Sequence, residues 1–549
     1  MPVIRLYWRE LEELVGVKRD VILKRISMLG CDVERVYEDY IDVEFFPNRP
    51  DLYSIEGVAR ALRGFLEIEK GLKDYKKSVK VDETKWKIFV ESSVLDVRPR
   101  IAGCVAKNVK MSDEFIRSLI SLQEDLHWTI GRNRRKMAIG IHDLSKISFP
   151  LIYKAVDSKF SFVPLDFNFK MTVEEILKDH PKGKAFSFIL EGKEKFPMII
   201  DSEGDAISFP PIINSEKTRV TEKTKDLFID VTGFDENVDR ALNIIACMLI
   251  DRGAEIESVV VHSSRFEVFP KLEAKVIEIE RDEIYSLLGF KLNDEEIKDS
   301  LEKMRFGCEI GEKIKVFVPA YRVDVMHAWD VIEDIAIGLG YDKIIPEYPK
   351  TEGVASPHPW NEVKDLVKEV MIGLGFVEVL TFTLSNEKEM YVNMKRKAKP
   401  WENYVPLMHP LTSDHTLVRT SILPKLLGVL NFNKHHEVPQ KIFEVGDVVR
   451  AMKNELHLAA CITHPRTNFS EIRGYVQALM RDLGIPWDVK ESEDEAFLEG
   501  RRADIIVNKE VVGTFGEINP EVLENFKIEM PVTAFEIDLS KIFDLGEIL

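Results

Sequence analysis

The chain has 549 residues, of which 45% are hydrophobic, and a formal net charge of −18. This length predicts about three to five domains, and the acidic balance argues against a protein that mainly coats nucleic acid, without excluding RNA binding through local basic patches. The five cysteines include no CxxC pair, so we expect no zinc and a reducing compartment. The first residues lack a secretory apolar core, and the apolar run 244–250 is too short for a bilayer, so we expect a cytoplasmic protein with no membrane partner.

The first segment, residues 1–85, mixes helical and strand patterns. Apolar spacing predicts helices near Leu11 and Val15 and over residues 20–29, and alternation predicts a strand over 41–46. Ser54 is placed to cap a further helix. The charged run 70–80 predicts a linker.

The second segment, residues 86–267, begins with strand patterns at 86–92 and 101–109. An amphipathic helix is predicted over 113–127, and an apolar strand over 137–141 leads to His142 and Asp143. Between them lies a basic cluster, for which spacing alone favours a solvated loop: Arg132, Arg134, Arg135 and Lys136.

The third segment, residues 268–347, alternates strands and helices: strands 276–279 and 314–318, and helices 281–287, 294–303 and 328–339. The last helix places Asp330, Glu333 and Asp334 on one face, and Asp324 lies upstream of it. No Lys or Arg stands four residues beyond these acids, so they predict an uncompensated cluster suited to Mg²⁺ before Ca²⁺. Spacing alone favours the alternative, a solvated acidic face near a helix N-terminus.

The fourth segment, residues 352–549, begins with an amphipathic helix whose predicted buried face carries Val363, Leu366, Val367 and Val370. The strand patterns predict a largely antiparallel sheet with helices on one side. They cover residues 376–383, 441–449, 456–462, 503–507, 511–518 and 533–538. The segment contains no Gly-x-Gly-x-x-Arg and no Phe-Arg-x-Glu, arginine-bearing patterns that can clamp the phosphates of ATP.

Three further side chains are candidates for hydrolytic chemistry. Ser208 ends a strand before Pro210 and Pro211, and Asp230 and Thr232 alternate along the next strand and project to one face. Each has a structural alternative. Ser208 can satisfy the backbone at a turn, Asp230 can cap or pair, and Thr232 favours strands in any case.

The acidic-helix region resembles a signature of the β subunit of phenylalanyl-tRNA synthetase, in which Pro-x-x-Arg-x-Asp leads to an acidic helix that ends in Gly-Tyr-Asp. The matching residues are Pro319, Arg322, Asp324, Asp330, Glu333, Asp334, Gly340 and Tyr341. The Asn48–Asp51 turn and the strand that contains Phe443, Glu444 and Gly446 match further parts of the family pattern. The second segment resembles the archaeal and eukaryotic form of the editing domain.

The resemblance implies an α+β multidomain fold. It comprises an N-terminal α/β module (1–85), an editing, tRNA-binding domain (86–267), a small winged-helix-like module with the acidic helix (268–347) and a degenerate class II synthetase core with an antiparallel sheet at the α-subunit interface (352–549). It also implies Mg²⁺ at the contact with the α subunit, held by Asp324, Asp330, Glu333 and Asp334. Many relatives carry Glu at the last position, so a direct bond from Asp334 is the least expected.

In function, the resemblance implies a β subunit of an (αβ)₂ ligase whose α subunit binds ATP and attaches phenylalanine to tRNA(Phe). A pocket shaped for phenylalanine rejects tyrosine only weakly if it tolerates an added hydroxyl, so a second site that hydrolyses Tyr-tRNA(Phe) is useful. The resemblance assigns this editing role to Ser208, Asp230 and Thr232. Two alternatives stay open: a non-catalytic scaffold that recruits RNA or a protein, and a freestanding tRNA deacylase.

Overall fold

The computed structural model describes residues 2–349, 353–398 and 404–543. The chain forms two compact units, Met1–Glu347 and Tyr348–Leu549. The predicted fourth segment begins at Glu352 and ends at Leu549, and both of these residues lie outside the described ranges. The four segment boundaries otherwise stay predictions. Among the described residues, no helix is both long and apolar enough to cross a membrane.

The N-terminal part of the first unit is a three-stranded antiparallel sheet with helices, and its strand order is β1-β3-β2. The elements are β1 (Val3–Tyr7), α1 (Trp8–Val15), α2 (Arg19–Leu23), β2 (Cys31–Val36), β3 (Tyr40–Phe45) and α3 (Ile55–Phe65). Helix α3 begins where predicted, because Ser54 Oγ accepts a hydrogen bond from the Gly57 N–H at 3.1 Å. The helix predicted over 20–29 is divided into α2 and a 3₁₀ turn, Ile26–Leu29.

The predicted linker over 70–80 is wrong, because this run is part of the folded body. Tyr75 is buried and its hydroxyl donates to Asp251 at 2.8 Å, and Lys70 pairs with Asp299 at 2.6 Å. The next residues form a short strand, β4 (Val79–Lys80). The high charge of the run reflects specific ion pairs across the unit rather than a free, solvated connection.

A sheet of eleven strands forms the centre of the first unit. Its longest path has the order β13-β12-β11-β8-β5-β15-β6-β14-β7, and β4 and β16 also pair with β15. The elements of this region are β5 (Lys87–Val90), β6 (Arg100–Lys107), α4 (Asp113–Trp128), β7 (Met137–Asp143), β8 (Leu151–Val156), β9 (Ser161–Phe162), β10 (Met171–Thr172), α5 (Val173–Asp179), α6 (Pro181–Phe186), β11 (Phe196–Ile200), β12 (Ala206–Phe209), β13 (Ile213–Asn214), β14 (Leu227–Gly233), α7 (Asn237–Asp251), β15 (Glu255–His262) and β16 (Phe266–Phe269).

Side chains join the two ends of this sheet. Asn214 on the terminal strand β13 donates from Nδ2 to the carbonyl of Ile141 on the opposite terminal strand, β7, at 3.4 Å. The sheet therefore curls until its ends meet, as in a closing barrel. We call this meeting line of β13 and β7 the seam.

The last part of the first unit is a small three-stranded antiparallel sheet of order β17-β19-β18. The elements are β17 (Lys275–Ile279), α8 (Arg281–Leu288), α9 (Asp294–Lys303), β18 (Gly307–Ile310), β19 (Ile314–Val318) and α10 (Ala328–Leu339). Every element predicted here is confirmed, including the bounds of the acidic helix α10, and only the short β18 was missed. Val331, Ile332 and Ile335 anchor α10 in the core of this part.

The second unit is built on a seven-stranded sheet of order β20-β23-β24-β28-β27-β26-β25. The sheet is antiparallel except at the short edge strand β20, as predicted. The elements of the unit are α11 (Pro359–Gly373), β20 (Val377–Glu378), β21 (Leu384–Ser385), β22 (Leu417–Val418), α12 (Leu423–Phe432), β23 (Gln440–Arg450), β24 (Lys453–Thr463), α13 (Phe469–Asp482), β25 (Asp488–Glu491), β26 (Phe497–Val507), β27 (Glu510–Ile518), α14 (Pro520–Asn525) and β28 (Val532–Asp538).

Helices cover both faces of this sheet, so the prediction of helices on one side is wrong. Along β24, Leu458 and Ala460 face the core that contains residues of α11 and α13, whereas Ala459 and Cys461 face the core that contains α12 and α14. The strand is apolar on both faces, as expected for a central strand covered on two sides. In α11, Val367 is buried as predicted, but Leu366 is exposed.

Candidate functional site

The candidate residues Asp230 and Thr232 lie on β14, which pairs antiparallel with β6 on one side and β7 on the other. Glycines stand directly opposite Asp230 on both neighbours, Gly103 and Gly140. Ser208 lies on β12, near the other end of the sheet. Ser208, Asp230 and Thr232 are 3%, 1% and 0% exposed, so these three candidate side chains are all buried.

A hydrogen-bonded pair, Asp230 and His142, is the centre of the site. Nε2 of His142 donates to Oδ2 of Asp230 at 2.8 Å, and Nδ1 lies 2.8 Å from the hydroxyl oxygen of Thr218, which can donate to it. The pair crosses over Gly140, where an added Cβ would stand 2.1 Å from Asp230 Oδ2 and 2.6 Å from His142 Nε2. Glycine is therefore required at 140. Both imidazole nitrogens are engaged, so His142 orients the Asp230 carboxylate.

The seam also brings Ser208 to this pair. Ser208 Oγ donates to Asn214 Oδ1 at 3.0 Å, and Asn214 in turn donates to the carbonyl of Ile141, the neighbour of His142. Strands β12 and β7 are far apart in the order of the sheet, so only the curling of the sheet makes this link. The structure thus connects Ser208 with the strand that carries His142.

Thr232 is held by a buried guanidinium. Arg98 donates from Nε to Thr232 Oγ1 at 3.0 Å and from Nη2 to the Thr232 carbonyl at 2.8 Å. Its Nη1 has no hydrogen-bond partner among the described residues. Burial lowers the pKa of Arg98 to about 10, an effect that Tyr153 and Asp230 only partly oppose. A buried cation with an unused donor is costly, and such groups are common where a ligand supplies the missing partner.

This arrangement can select a ligand that carries a hydroxyl. A buried, oriented carboxylate accepts a hydrogen bond from such a group and disfavours an analogue without it. The hydroxyls of Ser208 and Thr232 and the free Nη1 of Arg98 add groups that can hold water or a carbonyl oxygen.

Sequence reasoning did not assign a role to His142, Arg98, Asn214 or Thr218. One local signal was available: Gly140 interrupts an otherwise apolar strand, and His142 follows two residues later on the same face. The partners of the other residues lie far along the chain, where no spacing reveals them.

The basic cluster is only partly a solvated loop. Arg134 is buried, and its guanidinium donates to the carbonyls of Pro211 and Ile212 at 3.1 Å each and to Glu124 at 2.7 Å. The solvated interpretation is therefore wrong for Arg134, which ties this loop to the turn that follows Ser208. Arg132 and Arg135 are exposed.

The acidic helix α10 is not uncompensated, in contrast to the prediction. Arg322 donates from Nη2 to Asp324 Oδ2 at 2.7 Å and to Asp334 Oδ2 at 2.5 Å. Asp330 instead accepts from the backbone N–H groups of Met326 and His327 and so caps the helix. The compensating cation, Arg322, lies upstream of the helix, so the spacing of four residues along α10 does not reveal it.

Three family models match the chain. They are "Phenylalanyl tRNA synthetase beta chain CLM domain" over residues 344–539, "tRNA synthetase B5 domain" over 277–341 and "B3/4 domain" over 111–257. The phenylalanine–tRNA ligase β subunit of Archaeoglobus fulgidus is 67% identical over 551 residues, which cover 100% of both chains. That of Methanococcoides burtonii is 47% identical over 98% of this chain and 100% of its own.

The chain belongs to the phenylalanine–tRNA ligase β subunit family. The predicted membership is thus confirmed, with archaeal relatives. The chain is a ligase subunit of the aminoacyl-tRNA synthetase class, which serves protein biosynthesis, and the name of its relatives implies an α subunit as partner. An N-terminal fragment of the Pyrococcus horikoshii β subunit has a similar fold: the TM-score is 0.59 at 39% identity, over 61% of this chain and 99% of the fragment.

The residues that the family resemblance assigns to Mg²⁺ offer suitable oxygen donors. Partial burial, then Asp334 and Asp330, raises the pKa of Glu333, and burial raises the pKa of Asp334 although Arg322 opposes it. Negative charge therefore remains in excess after the Arg322 pairs. In the described chain, no three of these carboxylates converge within 4.8 Å. This fits Mg²⁺ held through one or two carboxylates and several waters. Glu333 and Asp330 would bind it, and Arg322 would orient Asp324 and Asp334.

Proposed function

We propose that this β subunit hydrolyses the ester of tyrosine misattached to tRNA(Phe), at the site formed by Ser208, Asp230 and Thr232. The observation that carries the proposal is the buried Asp230–His142 pair, which the structure places across Gly140 with no cation hydrogen-bonded to the carboxylate among the described residues. Such a carboxylate can recognise the phenolic hydroxyl, the one group that distinguishes tyrosine from phenylalanine.

In this mechanism Asp230 accepts a hydrogen bond from the phenol, and His142 and Thr218 hold the carboxylate in position. The hydroxyls of Ser208 and Thr232 hold water near the ester. The water oxygen attacks the carbonyl carbon, the bond from that carbon to the ribose oxygen breaks, and a proton passes to the ribose oxygen. Tyrosine and free tRNA(Phe) leave. Arg98 Nη1 is a donor that can stabilise the carbonyl oxygen as negative charge develops on it.

In this proposal the α subunit binds ATP and catalyses the attachment of phenylalanine to tRNA(Phe). It would bind the tRNA together with this chain, in an (αβ)₂ assembly in the cytoplasm. The second unit would be a degenerate class II core that supports it, because the sequence lacks the ATP-binding patterns. Large apolar side chains support a partner-binding surface on this unit: Leu380, Phe382, Met408 and Leu411 are 90%, 76%, 88% and 102% exposed. Mg²⁺ would lie at the acidic helix, at the contact with the α subunit.

A deacylation assay on the full chain tests the hydrolytic part. We expect wild-type protein to release tyrosine from Tyr-tRNA(Phe), and Asp230→Ala to lower that rate by about 100-fold or more, because sites that hydrogen-bond a hydroxyl discriminate by about 10⁴- to 10⁵-fold. Release from Phe-tRNA(Phe) should be slow and unchanged by Asp230→Ala. Asp113→Asn, at an exposed carboxylate on α4, is the matched control. Intact protein that releases no tyrosine, with or without the α subunit, contradicts the proposal.

A second assay tests the division of labour between the subunits. An α chain should co-purify with this chain and confer ATP-dependent transfer of phenylalanine to tRNA(Phe). Activation of an amino acid by the isolated β chain would contradict the assignment of ATP chemistry to the partner.

A further inference from the structure

Four titratable side chains of the second unit share one face of its sheet, on the paired strands β24 and β28. His457 stands directly opposite Asp538, and Glu455 lies two residues before His457 on the same face. Glu536 lies two residues before Asp538. His457 and Asp538 are buried, whereas Glu455 is partly exposed. The fold thus brings one imidazole and three carboxylates together, with a path to solvent at Glu455.

The Nε2 side of this imidazole has the spacing of a metal site. Nε2 of His457 lies 3.3 Å from Glu455 Oε2 and 4.0 Å from Asp538 Oδ1, and one ligand atom from each residue lies within 4.8 Å of the other two. Lys541 approaches the other oxygen of Asp538, Oδ2, at 3.8 Å. Ligand atoms that are each about 2.0–2.2 Å from one Zn²⁺ are roughly 3 to 4 Å apart. A small movement of the two carboxylates therefore lets all three atoms reach one ion.

The other imidazole nitrogen is held as a metal-binding histidine requires. Nδ1 lies 2.9 Å from Glu536 Oε1, and that carboxylate accepts from Ser421 Oγ at 2.5 Å and from the backbone N–H of Ile422 at 3.0 Å. Because the carboxylate can only accept, Nδ1 carries a proton, and the neutral ring directs its Nε2 lone pair toward Glu455 and Asp538. A carboxylate behind a histidine in this way fixes the tautomer and raises the basicity of the ligand nitrogen.

Two other groups of acids in the described part of the chain lack these features. Asp201 and Asp205 hold the Nζ of Lys217, at 2.9 and 2.7 Å, so a cation of the chain itself already neutralises that group. The group that includes Asp32 offers carboxylates only, and none of them is buried. The cluster on β24 and β28 differs from both because it combines burial with a nitrogen ligand.

We propose that Glu455, His457 and Asp538 bind one divalent transition ion of the Zn²⁺ type, and that Glu536 orients the imidazole. Imidazole nitrogen together with carboxylate oxygen suits such an ion, whereas Mg²⁺ prefers oxygen ligands and keeps several waters. The ion takes the place of the proton on Nε2, which passes to solvent. The prediction of no zinc rests on the lack of a CxxC pair and concerns thiolate sites only.

The ion joins β24 to β28 beside the start of α12 and leaves the hydrogen bonds of Glu536 unchanged. Because it binds only the folded chain, it stabilises the second unit. The inference is independent of the hydrolysis of tRNA esters and of Mg²⁺ at the acidic helix.

Metal binding by the full chain tests the proposal. Protein that has been stripped with EDTA and desalted is titrated with Zn²⁺ in buffer that contains excess Mg²⁺, and calorimetry gives the Kd. We expect one tightly bound Zn²⁺ per chain. Its X-ray absorption spectrum should show one imidazole nitrogen with oxygen ligands and no sulfur. Sulfur ligands, oxygen ligands alone, or the lack of a tightly bound ion would overturn the proposal.

Substitutions assign the ion to this cluster. Glu455→Gln and Asp538→Asn should each raise the Zn²⁺ Kd by about 100-fold or more, because loss of a ligand costs at least as much as loss of a group behind a ligand. Glu536→Gln should raise it by about 10- to 100-fold. The matched controls Glu510→Gln and Asp488→Asn, at exposed positions of the same sheet, should leave Kd unaltered.

Thermal unfolding separates loss of the ion from loss of the fold. Without metal, Glu455→Gln should have a Tm close to that of the wild type, since its side chain is partly exposed. Added Zn²⁺ should raise the Tm of the wild type and not that of the variant. Asp538→Asn is the second variant, because it keeps an oxygen that can accept from the Ser540 N–H. An equal rise in Tm in the wild type and both variants, or an unchanged Kd in both, would refute the site.

Discussion

The two units of the molecule each contain a buried polar cluster in an antiparallel sheet, and the clusters differ in how fully they are satisfied. In the second unit, Glu536 on β28 accepts hydrogen bonds from Ser421 Oγ at 2.5 Å, from the backbone N–H groups of Ile422 and Leu423 at 3.0 and 3.2 Å, and from His457 Nδ1 at 2.9 Å. At the seam of the first unit, Asp230 is held by His142, and Arg98 Nη1 lacks a partner among the described residues.

This difference indicates that the Glu536 cluster is structural and that the Asp230 cluster is a candidate functional site. Glu536 caps the start of helix α12 and ties it to the sheet, so all of its hydrogen-bonding capacity stabilises the fold. The seam keeps a donor unused and a carboxylate without a hydrogen-bonded cation, at a cost that folding alone does not explain. The degree of satisfaction therefore identifies the seam as the better candidate for chemistry, although both clusters contain histidine and carboxylate.

The largest effect should come from breaking the satisfied cluster. Glu536→Ala leaves His457 and the N-terminal groups of α12 without their acceptor, so we expect a loss of about 3 to 5 kcal/mol in the free energy of unfolding of the second unit. Urea unfolding of the full chain measures it. Glu524→Ala, at an exposed position of α14, should cost less than about 0.5 kcal/mol. A loss below about 1 kcal/mol for Glu536→Ala would show that the cluster is not structural.

The next largest effect should come from disturbing the seam without removing any of its functional groups. Gly140→Ala places a Cβ 2.1 Å from Asp230 Oδ2 and must displace the carboxylate from His142. We expect hydrolysis of Tyr-tRNA(Phe) to fall about 100-fold, or about 2.7 kcal/mol in transition-state free energy. Gly474→Ala, on α13 with open space around it, is the control and should leave hydrolysis unchanged. Full activity in Gly140→Ala would mean that the Asp230–His142 pair has no part in the reaction.

The same contrast explains how much could be predicted from the sequence. Periodicity located α4, α9 and α10 within a residue or two, because each buries a regular apolar stripe that depends only on local spacing. It could not reveal the His142–Asp230 pair, whose members are 88 residues apart, or the link from β12 to β7 at the seam. Arg322 was identified only as part of a motif, because its two ion pairs run forward along the chain, to Asp324 in the same turn and to Asp334 on α10. Local patterns specify elements, and the partners of buried polar groups come from tertiary structure.

A pH dependence sharpens the comparison within the satisfied cluster. Burial lowers the pKa of His457, but Glu455 and Glu536 outweigh it and raise that pKa above 6.5; burial raises the pKa of Glu536, but His457 outweighs it and holds that pKa below 4.5. The raised histidine stabilises the folded state at pH values below 6.5 and loses this effect as pH rises through its folded-state pKa. The lowered acid stabilises it above 4.5 and loses this effect as pH falls.

The second unit should therefore be most stable between these two pH values and lose stability as pH rises above 6.5. Urea unfolding of the full chain at several pH values measures this loss. His457→Gln should flatten the alkaline side of the profile, whereas His435→Gln, at an exposed position, should not. If the slope of unfolding free energy against pH on the alkaline side is the same in His457→Gln as in the wild type, the His457–Glu536 ion pair does not contribute to the stability of the second unit.

The acidic cluster at α10 is intermediate between these two cases, since Arg322 pairs with Asp324 and Asp334 and leaves Glu333 exposed with a raised pKa. Because the folded state favours protonated Glu333, the wild type should gain stability as pH falls toward that pKa. Glu333→Gln relieves the repulsion from Asp334 and Asp330, and solvent screening limits the gain to a few tenths of a kcal/mol. Thermal unfolding should show this gain without metal and a smaller Tm increase on adding Mg²⁺ than in the wild type. Glu309→Gln, on exposed β18, is the matched control, and equal Mg²⁺ responses of the two variants would exclude Glu333 as a ligand. A smaller Mg²⁺ response in Glu333→Gln than in Glu309→Gln would show that the acidic helix resembles the seam in one respect: part of its charge is available to a ligand rather than neutralised within the chain.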